Sequence, residues 1–203
     1  MARRHSLTAA RLLFAALSLT ALGRQLVIHV ESGFKVVNFF SYFTNLSNLF
    51  AALVLLRFAA LSIGRRQPSK KEELLRGMAV AYMVIVGVVF AILLRNADLG
   101  ALRPWVNVVL HYVMPVVLVV DWLVQPGPAL TGARSSIPGL IFPLVYLSYV
   151  LTRGGIIGWY PYPFLDPRTA GYTSVAVHAI LIMLLFLLTQ WAVNATTARR
   201  GLR

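Results

Sequence analysis

The chain has 203 residues and a formal charge of +13; apolar residues make up 59% of it and charged residues 12%. Soluble domains have about 25% charged residues, so this composition excludes an ordinary water-soluble domain and indicates an integral membrane protein. The sequence contains no cysteine, which excludes disulfides, thiolate zinc sites, iron–sulfur clusters and a cysteine nucleophile.

Six mostly apolar segments follow one another, each close to the length needed to cross a hydrocarbon core of about 30 Å as a helix. They cover residues 7–30, 39–62, 77–95, 104–125, 136–152 and 172–195. No linker or change in composition divides the chain. We therefore predict an all-α fold, a bundle of six transmembrane helices that forms a single integral membrane domain over residues 1–203.

Two local signals concern the ends of these helices. The first segment resembles a signal peptide because Arg3 and Arg4 precede its apolar run, but we expect a retained helix because that run continues through residues 25–28. Before the third segment, Ser69 is predicted to be a helix N-cap, and Glu72 stands at the capping-box position.

Lys and Arg residues are divided unequally between the two sides of the predicted bundle, with twelve on one side and five on the other. The positive-inside rule then predicts a multi-pass protein of the cell membrane with both termini in the cytoplasm. Because these short loops account for the basic charge, we expect the bilayer, and no nucleic acid, as a partner. The oligomeric state is not determined by the sequence.

A layer of polar side chains is predicted within the outer half of the bundle. With a rise of about 1.5 Å per residue, Thr44 in the second segment lies roughly 8 Å below the outer end. On the same basis His111 in the fourth segment lies roughly 10 Å down and His178 in the sixth roughly 9 Å. In the inner half, Asp121 and Gln190 lie near the cytoplasmic boundary, where we expect them to reach water.

The spacing of these polar residues places several of them on shared helix faces. Asn107 precedes His111 by one helical turn and is placed to orient its imidazole. One stripe of the second segment contains Ser41, Thr44, Asn45 and Asn48. Such a stripe also suits packing between membrane helices, and His178 also suits a hydrogen bond across a helix pair, so both interpretations stay open.

The segment 158–166 is rich in aromatic residues and carries Pro161 and Pro163, which disfavour helix. Its rings suit an anchor at the lipid headgroups. They suit equally a lid over a site in the outer leaflet.

A hydroxyl beside an imidazole is the minimum for nucleophilic acyl transfer, so Thr44 is the predicted nucleophile and His111 the predicted base. The amides of Asn45 and Asn48 are candidates to stabilise an oxyanion. Since this layer lies inside the membrane, the expected substrate is a lipid or fatty-acid ester.

These residues resemble the androgen-induced-gene family of six-helix membrane hydrolases. Thr44, within residues 42–46, resembles the family's nucleophile, and His111, followed by Pro115, resembles its histidine. Residues 162–165 match the family's Tyr-Pro-Phe-Leu motif before the last span. The resemblance implies cleavage of fatty acid esters of hydroxy fatty acids. We expect the substrate to contact Tyr162 and Phe164 of this motif, together with Asn45, Asn48, Asn107 and His178 of the polar layer. The composition, biased toward Ala, Arg, Val and Leu, is typical of a bacterial member.

Two other functions stay open. His111 and His178 at equal depth are candidates to ligate a haem between two helices, although a second histidine pair is lacking. A transporter or channel could use the polar layer as a binding site, although no polar path continues inward. For the hydrolase we expect no metal and no cofactor.

Overall fold

The structure is a computed structural model that describes residues 2–97, 102–127 and 137–198. All regular elements in these ranges are helices, and six of them are long and apolar enough to span a membrane, which confirms the predicted fold class. The six are α1 (Ala2–Glu31), α2 (Phe43–Ile63), α3 (Lys70–Leu94), α4 (Pro104–Val124), α5 (Ile137–Ile157) and α6 (Pro167–Ala198). We call the end where α2, α4 and α6 begin the upper end of the bundle, and the opposite end the lower end.

The predicted capping box at the start of α3 is confirmed. The Ser69 hydroxyl accepts a hydrogen bond from the Glu72 N–H, and the Glu72 carboxylate accepts one from the Ser69 N–H, at 3.3 Å and 2.6 Å. Because this cap satisfies the first-turn donors, α3 begins at Lys70, well before residue 77, where the apolar pattern starts.

Other helix ends differ from the apolar pattern as well. A separate short helix, Val36–Phe39, precedes α2, which begins at Phe43. α5 continues beyond residue 152 and ends before Gly158, whose φ of +66° is a conformation that favours glycine. Gly171 interrupts α6 with a φ of +76°.

The helix α3 forms the centre of the bundle, because it packs against α2, α4 and α6, while α1 packs against α2 and α4. In the most apolar stretch of α3, 56% of residues are buried, against 11% in α6. The other described helices therefore leave most of the surface of α6 uncovered.

An aromatic cluster joins four of the helices in the upper half of the bundle. The centroids of its contacting rings lie 5.2 to 6.3 Å apart, a distance that suits edge-on and offset contacts. The members are Phe43 from α2, Tyr82 from α3, Phe142 and Tyr146 from α5, and Phe186 from α6. This cluster fixes the upper turn of α2 against α3, α5 and α6.

The lower half contains four buried charges, which we call the charge network: Arg11, Glu73, Arg76 and Asp121. Asp121 lies 2.6 Å from Arg11 and 3.4 Å from Arg76, and Arg76 lies 2.8 Å from Glu73. Two positive and two negative groups therefore balance one another. Each of them is 6% exposed or less.

The prediction that Asp121 and Gln190 reach water is wrong, because they are only 5% and 3% exposed. The helix α3 begins earlier than its apolar pattern, and the added turns place Arg76 against Asp121, which also pairs with Arg11 of α1. Ion pairing therefore replaces hydration of the carboxylate.

Candidate active site

Thr44 is the second residue of α2, at the upper end of the bundle, where first-turn N–H groups have no acceptor within the helix. Tyrosine hydroxyls supply the acceptors. The Phe43 N–H donates to the Tyr146 hydroxyl and the Thr44 N–H to the Tyr162 hydroxyl, each over 3.2 Å. A tyrosine of α5 and a tyrosine of the 158–166 loop thus hold the backbone that carries Thr44.

The Tyr162 hydroxyl also lies 3.4 Å from the Thr44 hydroxyl oxygen. Its oxygen accepts the Thr44 N–H, and either of the two hydroxyls can donate to the other. Burial raises the pKa of Tyr162 above its ordinary value, which keeps the phenol neutral. Tyr162 therefore places a hydroxyl that can donate or accept beside the candidate nucleophile.

His111 lies in a π-helical turn of α4, Val109–Val113. A second π-helical turn, Phe90–Leu94, ends α3, and the Phe90 ring stacks on the imidazole with centroids 4.1 Å apart. The helices α3 and α4 approach each other closely here. A Cβ atom added to Gly87 of α3 would lie only 3.1 Å from the side chain of Pro115 of α4. Single π-helical turns occur frequently at functional sites.

The imidazole of His111 is oriented by its own helix. Nδ1 lies 3.3 Å from the backbone carbonyl oxygen of Asn107. A carbonyl oxygen only accepts, so this hydrogen bond assigns the proton to Nδ1 and leaves the lone pair on Nε2. The sequence predicts an orienting role for Asn107, and the backbone of Asn107 performs it. The Asn107 side-chain oxygen is buried without a partner among the described residues, so this placement does not support substrate contact.

A cavity of about 310 Å³, the polar cavity, lies at the upper end of the bundle between α1, α2, α4 and the 158–166 loop. Thr44, Asn45, His111 and Tyr162 all line it. The other polar or aromatic side chains in its wall are Gln25, His29, Phe34, Asn38, Phe39, Tyr42 and Trp159.

Thr44 and His111 share this cavity without a direct hydrogen bond between them. Among the described residues, the Thr44 hydroxyl bonds to Tyr162, and the imidazole bonds to the Asn107 carbonyl. Catalytic hydrogen bonds are often long or poorly aligned before substrate binds, and one water molecule also suffices to carry the proton.

A second cavity, the apolar cavity of about 80 Å³, lies on the other side of Thr44, toward α3, α5 and α6. Its wall is formed mainly by aliphatic and aromatic side chains, among them Phe43, Ile85, Val86, Val89, Pro143, Leu147, Ile182, Met183 and Phe186. Thr44, Leu94 and Tyr162 line both cavities. Thr44 therefore lies in the wall that the polar and the apolar cavity share.

The 158–166 loop folds over the site. Pro161, Tyr162 and Leu165 are buried within the bundle. The ring of Tyr160 lies so close to Gly154 of α5 that a Cβ atom there would come within 2.1 Å of it. Of the two interpretations left open by the sequence, this burial favours a lid over an anchor at the headgroups.

The two asparagines of α2 are placed differently. Asn45 lines the polar cavity and uses one amide N–H to donate to the Phe39 carbonyl at 2.9 Å. Asn48 is fully buried, and its amide nitrogen donates to the carbonyls of Thr44 and Leu110 at 2.9 Å and 3.1 Å. Since both amide protons of Asn48 are used, it joins α2 to α4, and this placement does not support contact with an oxyanion.

Phe164 lies in the wall of the apolar cavity, and His178 lies behind Phe164, outside the cavity. Phe164 lines that cavity and stacks on the Tyr162 ring, with centroids 5.2 Å apart. His178 lines neither the polar nor the apolar cavity. Its Nδ1 donates to the Ser174 carbonyl at 2.8 Å, and its ring lies 5.7 Å from that of Phe164. His178 thus supports the wall from behind, and this placement does not favour direct substrate contact.

Two residues of the site were not predicted from the sequence. Tyr146 caps α2, and Phe90 stacks on the imidazole of His111. An aromatic residue within an apolar segment is typical of a packed core, so neither carries a distinguishing sequence signal.

Within the described residues, no three His, Asp or Glu side chains are grouped so as to hold a metal ion. No protein-family model, curated protein or solved structure matches the chain. The candidate function therefore rests on the geometry of this site.

Proposed function

We propose that the chain is an intramembrane lipid-ester hydrolase with Thr44 as its nucleophile and His111 as its general base. The observation that carries the proposal is the position of Thr44 on the boundary between the polar and apolar cavities. A fatty acid ester has its carbonyl at the same kind of boundary, between a hydrocarbon chain and polar oxygen atoms. The resemblance of residues 42–46, His111 and 162–165 to the androgen-induced-gene family supports the same chemistry.

The two cavities suit the two halves of such a substrate. The acyl chain occupies the apolar cavity, where each buried methylene contributes about 0.8 kcal/mol of transfer free energy. The alcohol half occupies the polar cavity, beside Asn45 and His111. This arrangement brings the ester carbonyl to the Thr44 hydroxyl.

In the first half-reaction, the Thr44 oxygen attacks the carbonyl carbon as Nε2 of His111 takes the hydroxyl proton. The electron pair of the carbonyl moves to its oxygen, which accepts a hydrogen bond from the Tyr162 hydroxyl. The second amide N–H of Asn45 is a further donor on the same cavity wall. The ester C–O bond then breaks, His111 returns the proton to the leaving alcohol, and the acyl group stays on Thr44.

In the second half-reaction, a water molecule from the polar cavity attacks the acyl-threonine carbonyl. Nε2 of His111 takes a proton from this water and gives it to the Thr44 oxygen as the acyl bond breaks. The fatty acid leaves, and both side chains return to their starting states. Water has access to His111 because the imidazole lines the polar cavity.

The two competing functions receive less support from the geometry. Bis-histidine ligation requires His111 and His178 to face one gap, but His178 lines neither cavity and rests on Phe164. Transport requires a polar path through the lower half, where the four members of the charge network are buried against one another. Lipid-ester hydrolysis, in contrast, makes use of both cavities that Thr44 lines.

The test is ester hydrolysis by the purified chain in detergent micelles or nanodiscs, with p-nitrophenyl esters of short and long acyl chains. Thr44→Ala and His111→Ala are each expected to lower the rate by about 10³-fold or more, and the double variant to be little slower, because nucleophile and base act as a unit. Thr44→Ser retains part of the activity because it keeps a hydroxyl.

Thr189→Ala is the matched control. Thr189 is as buried as Thr44, at 8% against 7% exposure, and within the described ranges its hydroxyl donates only to the Leu185 carbonyl of its own helix. We expect this variant to hydrolyse esters at the wild-type rate. Hydrolysis by Thr44→Ala at the wild-type rate would make Thr44 a packing residue and refute the mechanism.

A further inference from the structure

A third cavity, of about 510 Å³, lies at the lower end of the bundle between α1, α2 and α4, and we call it the arginine cavity. Four arginines line it: Arg4, Arg11, Arg65 and Arg66. No Asp or Glu of the described ranges stands in its wall. The cavity therefore concentrates positive charge.

The four guanidinium groups differ in how far they are already paired. Arg11 is paired with Asp121 at 2.6 Å, and Arg4 donates to the hydroxyl and the carbonyl of Ser62. In the part of the chain that the structure describes, the side chains of Arg65 and Arg66 have no acidic or hydrogen-bonding partner. The N–H donors of these two side chains are free to bind an anion.

The backbone at Arg65 indicates that its side chain has a role. The helix α2 ends in a Schellman motif, in which the Arg66 N–H donates to the Leu61 carbonyl at 2.9 Å and the Arg65 N–H to the Ser62 carbonyl at 3.2 Å. Arg65 occupies the left-handed position of this motif, with a φ of +54°. Glycine is favoured there and a side chain is strained. Arginine at this place is a structural disadvantage that a bound anion would offset.

The walls of the arginine cavity are apolar as well as basic, since Leu7, Phe58 and Leu61 also line it. Ile63, in the last turn of α2, is 66% exposed. A ligand at this place therefore meets guanidinium groups and aliphatic side chains together. An ion without an apolar part would contact the guanidinium groups but leave the aliphatic side chains without a partner.

We infer that the arginine cavity binds an anionic phospholipid, with the headgroup phosphate at Arg65 and Arg66. The planar guanidinium fork matches the oxygen atoms of a phosphate. Basic pockets between transmembrane helices are suited to anionic headgroups. The acyl chains lie along the apolar side chains at the end of α2. Free inorganic phosphate offers the same oxygens but no hydrocarbon. This inference does not depend on ester hydrolysis.

The experiment is native mass spectrometry of the full chain released from neutral detergent after titration with dioleoylphosphatidylglycerol, dioleoylphosphatidylcholine or inorganic phosphate. The wild-type protein is expected to retain one phosphatidylglycerol at least about tenfold more tightly than phosphatidylcholine. Millimolar inorganic phosphate is expected not to displace it, because phosphate lacks the apolar contacts.

The test variant is Arg65→Gly combined with Arg66→Gln. Glycine suits the left-handed conformation, so the variant should unfold at the wild-type temperature or above it. Its affinity for phosphatidylglycerol is expected to fall by about tenfold or more. A charge-matched control, Arg24→Gln with Arg95→Gln, removes two arginines from the upper end and should change the affinity less than about twofold.

Three results would overturn the inference. Equal retention of phosphatidylcholine and phosphatidylglycerol would show that the cavity does not recognise an anionic headgroup. An equal loss in the upper-end control would show attraction to the net charge of the protein. Displacement of the lipid by millimolar phosphate would assign the cavity to a free anion. Since the test variant is designed to keep its fold, its unfolding temperature separates lost binding from lost structure.

Discussion

The upper and lower halves of the bundle both bury polar side chains, but they satisfy them in different ways. In the lower half, Arg11, Glu73, Arg76 and Asp121 form a charge network in which each charge meets an opposite one. In the upper half, the buried polar groups are hydroxyls, amides and the imidazole of His111. Several of these, Thr44 and His111 among them, face a cavity.

This difference separates side chains that hold the fold from side chains that are free to react. A buried ion pair is expensive to break, because the charge left behind has neither partner nor water. A neutral hydroxyl or imidazole at a cavity keeps a hydrogen-bonding position for a ligand. Substitutions in the lower half should therefore change stability, and substitutions in the upper half should change activity.

The largest effect is expected for Asp121→Asn. Loss of the carboxylate leaves Arg11 and Arg76 buried without their shared partner, and unfolding should become easier by about 3–5 kcal/mol. Denaturation by SDS in mixed micelles measures this change. A loss below about 1 kcal/mol would show that the charge network does not stabilise the lower half.

Tyr162→Phe should act mainly on catalysis. It removes the hydroxyl that accepts the Thr44 N–H and is the proposed oxyanion donor, so ester hydrolysis should fall by about 10²-fold. Unfolding should become easier by only about 1 kcal/mol. Tyr172→Phe serves as the control, because Tyr172 is 77% exposed. If both variants keep the wild-type rate, Tyr162 has no part in the reaction.

A smaller effect is expected where the lid meets α5. In Gly154→Ala the added methyl group would come within 2.1 Å of the Tyr160 ring, so the 158–166 loop must move. We expect a loss of about 1–3 kcal/mol in stability together with a lower rate of hydrolysis. Its neighbour provides the matched control, since a Cβ atom on Gly155 meets no atom within 4 Å. Equal behaviour of the two alanine variants would contradict a lid held by Tyr160.

The smallest effect is expected for Glu31→Gln at the upper end. Arg24 and Glu31 lie 3.8 Å apart, at 47% and 66% exposure. A pair so exposed contributes less than about 0.5 kcal/mol, so unfolding in SDS should match the wild type. A large destabilisation here would mean that ion pairs stabilise both ends of the bundle and would remove the contrast with Asp121.

Much of the fold was predictable because membrane spans and helix caps leave local signals. Apolar length predicts six spans, and Ser69 with Glu72 predicts the start of α3, which is confirmed. The helical rise alone placed Thr44 and His111 at similar depth. The structure brings both into the wall of one cavity.

The remaining features depend on how the helices rotate against one another, which is set by packing between distant segments. Helical spacing places Asn48 on the same stripe of α2 as Thr44. In the structure, however, the amide of Asn48 donates a hydrogen bond to the Leu110 carbonyl of α4. Depth groups His178 with His111, but α6 turns it behind Phe164. Asp121 and Arg11 are 110 residues apart in sequence, so no local sequence pattern predicts that they pair.

Labelling by a fluorophosphonate with a long alkyl chain tests most directly whether His111 activates Thr44. Mass spectrometry of the digested protein is expected to find the phosphonyl adduct on Thr44 in the wild type and in Thr189→Ala. His111→Ala should abolish the adduct while the protein remains folded, because the hydroxyl then has no base to take its proton. An adduct on another residue, or equal labelling of Thr44 without His111, would contradict the account.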